Sequence, residues 1–311
     1  MTPEDPQHLE SCIQDILSVL SKNDENYLRM AYQVILEREI EPKGLTGWLD
    51  QLKKGLSRTA LIQKLVESKE FKQRLQHLVG HPSWSQIHHK LHSARVEMVA
   101  TLLPPAKTIL DIGGYSGNDP RGALLSFGYP YPVEKLCIVD LPPDQMMFPG
   151  SSEWPKKLKD KNCEIEYFYT SMTDLSHFDE ASFDLIWSGE SIEHISSEDA
   201  EKVFSQAYKI LKPGGKLALD TPNRRATKLP CPDSYIHPEH KLEYYYQDLC
   251  ELLEKYNFTI VQTKGLIELS ESIATSSVEK FYQEFLASAN LNDNPDKSYC
   301  FYLCCMRIED L

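Results

Sequence analysis

Residues 107–117 read KTILDIGGYSG, a short apolar run that ends in an acid and is followed by glycines. The apolar, partly β-branched residues around Asp111 are typical of a strand buried in a parallel sheet. The glycines of this segment are Gly113, Gly114 and Gly117. Asp119 and Pro120 then predict an N-cap and the first turn of a helix. A buried strand, a glycine-rich turn and a helix form the opening unit of a doubly wound α/β domain.

The glycine-rich turn lets the atoms of a ligand approach bare backbone. By itself it suits a dinucleotide, a nucleoside or only a sharp bend. The strict dinucleotide pattern G-x-G-x-x-G is absent in both registers, because Ile112 takes the first glycine position of one and Tyr115 the second of the other. This absence counts against a nicotinamide-dependent oxidoreductase, which stays as one alternative.

The same stretch resembles the first motif of class I S-adenosylmethionine-dependent methyltransferases, in which an acid leads D-x-G-x-G-x-G. Asp111, Gly113 and Gly117 match that motif, and Tyr115 replaces its middle glycine. The resemblance implies S-adenosyl-L-methionine as cofactor and S-adenosyl-L-homocysteine as its product. The cofactor contacts that it implies in this stretch are Asp111, Gly113, Gly114, Tyr115 and Gly117.

The second apolar run, KLCIVD at 135–140, also ends in an acid. Asp140 stands where nucleoside-binding folds place a carboxylate for the two ribose hydroxyls, although a helix cap is the alternative. Leu141 follows, in a position suited to the adenine face. After a third expected strand at 164–169 comes SMTDL, where the resemblance implies a polar contact to the adenine amino group. Ser171 and Asp174, with Met172 between them, remain alternatives for this contact.

The phrase SFDLIWSGESIEHI at 182–195 resembles the next motif of the family, including its Glu193–His194 pair. Ser188 lies at the carboxyl end of this expected strand, the edge of such a sheet that faces ligands. Glu190 and Glu193 either face the cationic sulfonium or begin a solvated helix. His194 is either a general base or a structural residue.

The turn KPGG, which leads into a strand at 216–220, resembles the signature that follows the fourth strand of the family. These stretches predict a doubly wound α/β fold over residues 105–311, and the family resemblance implies a seven-stranded, mostly parallel Rossmann-like sheet. Further strands are expected at 258–262 and 299–306, which the resemblance implies to be an antiparallel edge pair. Helices are expected at 198–211 and 244–256.

Residues 1–80 show helical periodicity throughout, which predicts a small all-α module, and 81–104 a connecting helix. Ser57 and Ser68 are expected N-caps, and the segment EPKGLTG at 41–47 is expected to break a helix. The stretch 22–78 resembles a small helical domain of unknown function that recurs in bacterial proteins, often beside sugar-handling transferases. That resemblance suggests a bacterial glycan context.

Two segments are expected to shape the acceptor pocket: 222–241, a polar, proline-rich loop, and 268–298, which carries Phe281, Tyr282 and Phe285. These aromatic rings either stack on the acceptor or belong to the core. His237 and His240 are candidates for the base that deprotonates an acceptor hydroxyl. The alternative is that they only position the loop. With Cys231 they match no common zinc spacing, so no metal is predicted.

The formal net charge of −13 is unevenly distributed, since residues 1–104 hold 13 acidic and 13 basic side chains. The α/β region therefore carries the whole excess, which disfavours a nucleic-acid partner. No apolar run is long enough for a transmembrane segment, and no signal pattern opens the chain, so a cytoplasmic location is expected. The eight cysteines are expected to be free thiols.

The sequence thus predicts a methyltransferase that acts on an oxygen of a sugar, a glycan or another small-molecule acceptor. A catalytically inactive scaffold of the same fold, with Tyr115 blocking the cofactor, is the non-enzymatic alternative. The oligomeric state is left open.

Overall fold

The computed structural model describes residues 23–36, 38–71, 84–142, 156–270 and 277–308. The chain divides into two compact units, Met1–His81 and Pro82–Leu311. Each is described by itself.

The described part of the first unit contains three helices, whose bounds are α1 Asp24–Leu36, α2 Pro42–Lys53 and α3 Arg58–Val66. The N-cap role of Ser57 is confirmed, because its hydroxyl accepts the backbone N–H of Ala60 over 3.1 Å. Ser68 likewise accepts the N–H of Phe71 over 3.1 Å. The break expected at 41–47 is wrong in part, since α2 begins inside it. Pro42 suits a first helical position, where no N–H donor is needed.

The described residues of the second unit form one nine-stranded sheet with the order β3-β4-β2-β1-β5-β6-β9-β7-β8. The strands are β1 Thr108–Ile112, β2 Lys135–Asp140, β3 Lys157–Asp160, β4 Cys163–Tyr169, β5 Phe183–Gly189, β6 Leu211–Pro222, β7 Phe258–Glu268, β8 Leu291–Asn292 and β9 Ser298–Arg307. The five strands from β4 to β6 are parallel, and β9 and β7 pair antiparallel beside them. These seven strands confirm the predicted fold class.

The sheet has two strands more than predicted. Both are short antiparallel additions, β3 beside β4 and β8 beside β7. The sequence of β3, KLKD, alternates charged residues without a buried face, and β8 has only two residues. Neither carries the apolar run on which a sequence-based strand prediction depends.

Helices cover both faces of this sheet. They are α4 Trp84–Leu102, α5 Ala123–Ser126, α6 Ser197–Ile210, α7 Arg224–Thr227, α8 Tyr246–Lys255 and α9 Val278–Ala287. In β1, Ile109 packs into a core with residues of α4 and α9, and its neighbour Leu110 packs into a core with residues of α6 and α8. This alternation is the pleat of a strand buried on both sides.

The helix after the glycine-rich turn begins later than predicted. Its N-cap is Gly122, with φ +87°, and not Asp119. Asp119 instead accepts the backbone N–H of Arg121 over 2.9 Å and pairs with its guanidinium. The acid therefore closes a local turn, which keeps residues 115–121 outside the helix.

The cysteines and the helices of the described residues bear on two further expectations. The seven cysteines in the described residues are free thiols, as predicted. Of the helices in the described part of the chain, none has the length and apolar character needed to cross a bilayer.

Candidate active site

The carboxyl ends of the central parallel strands bring the predicted site residues to one edge of the sheet. Ile112 at the end of β1 is in register with Val139 of β2 and with Ser188 of β5. Gly189 is in register with Asp220 of β6. The residues that follow these positions in sequence therefore meet at a single edge, where doubly wound folds bind their ligands.

Asp140 holds two backbone segments of this edge together. Its Oδ2 accepts the N–H of Tyr115 over 3.0 Å, and its Oδ1 accepts the N–H of Leu141 over 2.8 Å. Each carboxylate oxygen keeps a further lone pair for a hydroxyl. Burial raises the pKa of Asp140, so a hydrogen-bonding diol would compensate its lost hydration. Leu141 is 41% exposed beside it, an apolar surface suited to a purine face.

Asp111 lies beneath the glycine-rich turn. It is 1% exposed, and its Oδ2 accepts the N–H of Leu124 over 3.3 Å. A Cβ at Gly114 would stand 2.2 Å from the Asp111 carboxyl carbon, so only glycine fits there. Burial raises the pKa of Asp111 to about 7. The structure shows a residue that shapes the turn, and its direct contact with a cofactor stays a prediction.

Gly113 forms the sharp bend at the end of β1, with φ +73°. Its N–H donates to Val139 O over 2.8 Å, and a Cβ would lie 2.7 Å from that of Ser191. The Ser191 hydroxyl in turn donates to Ile112 O over 3.1 Å and lies 2.6 Å from the hydroxyl of Ser188. Ser188 is thus a buried support of the turn.

The remaining predicted cofactor residues are more open. Tyr115 and Gly117 are half-buried, and the Tyr115 ring meets Tyr167 edge to face at 6.5 Å. Ser171 lies 2.8 Å from the hydroxyl of Thr173.

The two alternatives in the segment after β4 differ in their exposure. Asp174 is exposed, and its carboxylate accepts the hydroxyl and the N–H of Ser176, which lowers its pKa. Met172 packs against the core on the α6 and α8 side. Both candidates close local turns, because the Ser171 hydroxyl also accepts the N–H of Thr173 over 3.2 Å, and the contact to the adenine amino group stays a prediction for either.

An ion pair that the sequence analysis did not find lies at the same edge. The guanidinium of Arg95, on α4, meets the Asp220 carboxylate over 2.9 Å from Nε and 3.4 Å from Nη2. Asp220 is 0% exposed. Its carbonyl accepts the N–H of Glu190, a non-glycine residue held at φ +48°. Such left-handed backbone is costly and is retained only where neighbouring contacts enforce it.

The three histidines proposed for catalysis come together. The ring of His194 lies 5.0 Å from that of His240 and 6.1 Å from that of His237, and the latter two are 5.3 Å apart. Burial lowers the pKa of His194 to about 4 and also lowers that of His237. Both shifts favour the neutral form of the ring at pH 7.

A buried glutamate, Glu243, orients this cluster and was also missed. Its Oε1 lies 2.8 Å from Nδ1 of His240 and accepts the N–H of Ile236 over 2.7 Å. Its Oε2 accepts the hydroxyl of Thr227 and pairs with Arg224 over 3.4 Å. The loop 222–241 is thereby fixed from inside, with Nδ1 of His240 committed to the carboxylate.

The aromatic residues of 268–298 have a structural role. Phe281 and Phe285 are wholly buried and stack edge to face on Tyr299 of β9. They belong to the core on the α4 side, with Tyr282 packed at its margin. The alternative that these phenylalanines stack on an acceptor is wrong, and residues 271–276 of the segment lie outside the described residues.

A family model described as a methyltransferase domain matches residues 83–263. The chain belongs to this methyltransferase family. Residues 18–75 match the model of a domain of unknown function, DUF4214, which confirms the resemblance noted for the first unit. S-adenosylmethionine is the cofactor that this family membership brings to the chain, and the Asp140 carboxylate with its neighbouring apolar surface fits its adenosine half.

Curated relatives match only part of the chain. A phosphoethanolamine N-methyltransferase of Caenorhabditis elegans is 32% identical over 37% of this chain and 24% of its own length. A probable S-adenosylmethionine-dependent methyltransferase of Mycolicibacterium smegmatis is 33% identical over 35% of this chain and 44% of its own. A ubiquinone biosynthesis O-methyltransferase of Xanthomonas axonopodis is 29% identical over 44% and 52%, respectively. The chain thus spans between a quarter and about half of these relatives.

Solved structures resemble the chain more remotely. A putative methyltransferase in complex with the Trm112 activator of Haloferax volcanii has a TM-score of 0.49 and 13% identity, over 73% of this chain and 93% of that one. The small RNA methyltransferase HEN1 has a TM-score of 0.47 and 15% identity, over 74% and 26%. Likenesses this weak carry no information about the acceptor.

Proposed function

We propose that the chain transfers the methyl group of S-adenosylmethionine to an oxygen of a small-molecule acceptor, a sugar or glycan among the candidates. The observation that carries this proposal is the position of three histidines beside the strand ends that form the cofactor edge. The backbone N–H of Lys241 in their loop donates over 2.8 Å to the carbonyl of Glu193, which follows β5. Family membership supports the methyl donor, and the histidines support the oxygen acceptor.

The cofactor half of the site uses the chain mainly for positioning. The sulfonium of S-adenosylmethionine supplies the reactive methyl group, and the protein orients it. Asp140 would accept hydrogen bonds from the ribose, and the turn at Gly113 would let the backbone approach the nucleoside. Leu141, exposed at this edge, would lie against the adenine.

The acceptor half needs a base. A hydroxyl attacks a methyl carbon well only as its proton is removed, so a neutral imidazole within hydrogen-bond reach lowers the barrier. His237 and His240 are the candidates. The bond between His240 Nδ1 and Glu243 leaves Nε2 of that ring as the proton acceptor. His194, whose pKa is about 4, is too weakly basic to hold the proton at neutral pH.

Three further expectations belong to this proposal. The acidic α/β region favours a neutral or cationic small acceptor over a nucleic acid. A cytoplasmic location fits the supply of S-adenosylmethionine inside cells. The first unit, by its resemblance to a domain found beside sugar-handling transferases, directs the acceptor search to glycans first.

Calorimetric titration with S-adenosylmethionine and, separately, with S-adenosylhomocysteine tests the cofactor half. Saturable binding that Asp140→Ala weakens about 5- to 150-fold is expected, since the ribose loses a buried acceptor worth about 1–3 kcal/mol. Asp179→Ala is the matched control, because this carboxylate is exposed and lies outside the predicted cofactor site. A folded protein that binds neither compound would contradict the proposal and favour the scaffold alternative, and binding of a nicotinamide cofactor would favour the oxidoreductase.

The acceptor half is tested with labelled S-adenosylmethionine and a panel of sugars, glycans, phenols and amines. Transfer of the labelled methyl group to a hydroxyl group is the expected result, with a product that is stable in mild acid and no transfer to the amines. Transfer to amines alone would contradict the oxygen assignment while leaving the methyltransferase activity intact.

A further inference from the structure

Glu193, His194 and His240 place one ligand atom each within 4.8 Å of one another, although the sequence spacing predicted no metal site. We infer that these three side chains bind a divalent transition-metal cation beside the cofactor edge. Glu193 and His194 come from the turn after β5, and His240 comes from the loop after β6. Because the loop folds back onto that turn, residues far apart in sequence converge, which no local pattern shows.

The Glu193 carboxylate is the strongest indication. It is 0% exposed. Its Oε2 accepts the hydroxyl of Thr221 over 2.9 Å, but its Oε1 has no hydrogen-bond partner among the described residues. Buried carboxylate oxygens are nearly always paired, since an unsatisfied one costs the desolvation free energy of the group. A cation at Oε1 would satisfy it.

His240 is oriented as metal ligands usually are. Its Nδ1 is bonded to the Glu243 carboxylate over 2.8 Å. Metal-bound histidines almost always donate one ring N–H to a carboxylate or a carbonyl, which fixes the tautomer and leaves the other nitrogen for the metal. Glu243 is such an outer partner for His240.

The charge balance of the surroundings also favours a cation. Glu193 lies near two further acidic side chains, Glu190 and Asp220, and the guanidinium of Arg95 pairs with Asp220. A thiol, Cys300, lies 3.3 Å from Glu190 and adds no positive charge. Buried carboxylates in such a group repel one another, and either a proton or a metal cation must compensate them.

The ligand types select the class of metal. Two imidazoles and one carboxylate suit Zn²⁺, Co²⁺, Mn²⁺ or Fe²⁺, whereas Mg²⁺ and Ca²⁺ prefer sets made of oxygen alone. Three protein ligands leave open positions. If the proposed function is right, these open positions would face the acceptor. A cation bound to Nε2 of His240 would prevent that ring from accepting a proton, and His237 would then be the base.

The test uses the full chain, stripped with a chelator and titrated with Zn²⁺, Co²⁺, Mn²⁺ and Mg²⁺ without S-adenosylmethionine or acceptor. Binding of about one Zn²⁺ or Co²⁺ per chain, with Mg²⁺ weaker, is the expected result. Glu193→Gln and His240→Ala should abolish it. Glu243→Gln removes no ligand but changes the outer partner of His240 and the ion pair with Arg224, and it should weaken binding about 10- to 100-fold.

His237→Ala is the matched control, since this ring lies 5.3 Å from that of His240 but outside the ligand set, and it should bind as the unmodified chain does. Where a ligand variant does not fold, the unmodified chain still decides, because a cation that binds the folded state must raise its Tm. No binding and no rise in Tm with any of the four cations would overturn the inference. Equal binding by Glu193→Gln and His240→Ala, or loss of binding in His237→Ala, would also overturn it. Failure to bind S-adenosylmethionine would contradict only the proposed function.

Discussion

Arg95 on α4 and Asp220 at the end of β6 form a buried ion pair at the cofactor edge, with Nε 2.9 Å from Oδ2. The guanidinium also stacks over the ring of Phe127, 5.1 Å from its centroid. A Cβ at Gly189 would lie 2.6 Å from Nη2 of Arg95, so the helix meets bare backbone there. The pair therefore joins the helix before the sheet to the strand ends that form the site.

Removal of the Arg95 guanidinium alone should destabilise the chain strongly. Arg95→Met leaves the Asp220 carboxylate buried without a partner, and a loss of about 3–5 kcal/mol is expected in urea unfolding. The double variant Arg95→Met, Asp220→Asn should recover most of it, because no buried charge remains. Arg225→Met is the control. It breaks an exposed pair with Asp296, which is worth at most about 1 kcal/mol. A double variant as unstable as Arg95→Met would contradict this account.

The glycine-rich turn leaves no room for a side chain at Gly114. In Gly114→Ala the new Cβ would meet the Asp111 carboxyl at 2.2 Å, so the turn must shift. A loss of about 1–3 kcal/mol in stability and of measurable S-adenosylmethionine binding is expected. Gly47→Ala is the matched control. No atom lies within 4 Å of its added Cβ, and within α2 alanine should stabilise by about 0.5–1 kcal/mol. Unchanged cofactor binding in Gly114→Ala would show that the turn is not part of the cofactor site.

Much of this architecture was predictable from the sequence because its signals are local. The strand β2 ends at Asp140 as predicted, since an apolar run that closes with an acid is visible in six residues. The order of the central strands follows from the resemblance to a family of known topology. The histidine loop was identified by its composition, and the structure brings His237 and His240 close to His194.

What could not be predicted depends on contacts between distant residues. In the sequence, Arg95 looks like any other charged residue of an amphipathic helix. Only the fold brings it into contact with Asp220. Glu243 gives no signal either, because its partners His240 and Arg224 become evident only when the loop is closed. The sites of strongest electrostatic coupling are therefore the ones that sequence patterns do not show.

Asp111 makes the stability of the chain depend on pH. Burial raises its folded pKa from 3.8 to about 7, so the unfolded chain releases this proton first as pH rises. Below about pH 4 Asp111 is protonated in both states and does not change the free energy of unfolding. Between that pH and 7 this free energy falls as pH rises. Above pH 7 the reduction is constant. Asp111→Asn should remove a penalty of order a few kcal/mol at pH 8 and almost none at pH 4.

The matched control for that series is Asp184→Asn. Although burial opposes it, bonds from Lys212 and Thr108 lower the pKa of Asp184 to about 2. Its stabilisation is complete above the ordinary pKa of 3.8 and is lost only as pH falls towards 2. Between pH 4 and 8 the difference between this variant and the unmodified chain should stay nearly constant in urea titrations. A constant difference for Asp111→Asn as well would contradict the buried-acid account.

The base of the proposed methyl transfer can be identified from two substitutions and a pH profile. His237→Ala and His240→Ala should bind S-adenosylmethionine normally, and loss of the base should reduce kcat about 10²- to 10⁴-fold. Burial lowers the pKa of His237, so with this base the acidic limb of kcat/KM should fall below pH 6.5. If His240 acts as a metal ligand instead, its variant loses bound cation together with activity, whereas His237→Ala keeps the cation. Full turnover of the true acceptor by both variants would show that neither histidine is the base.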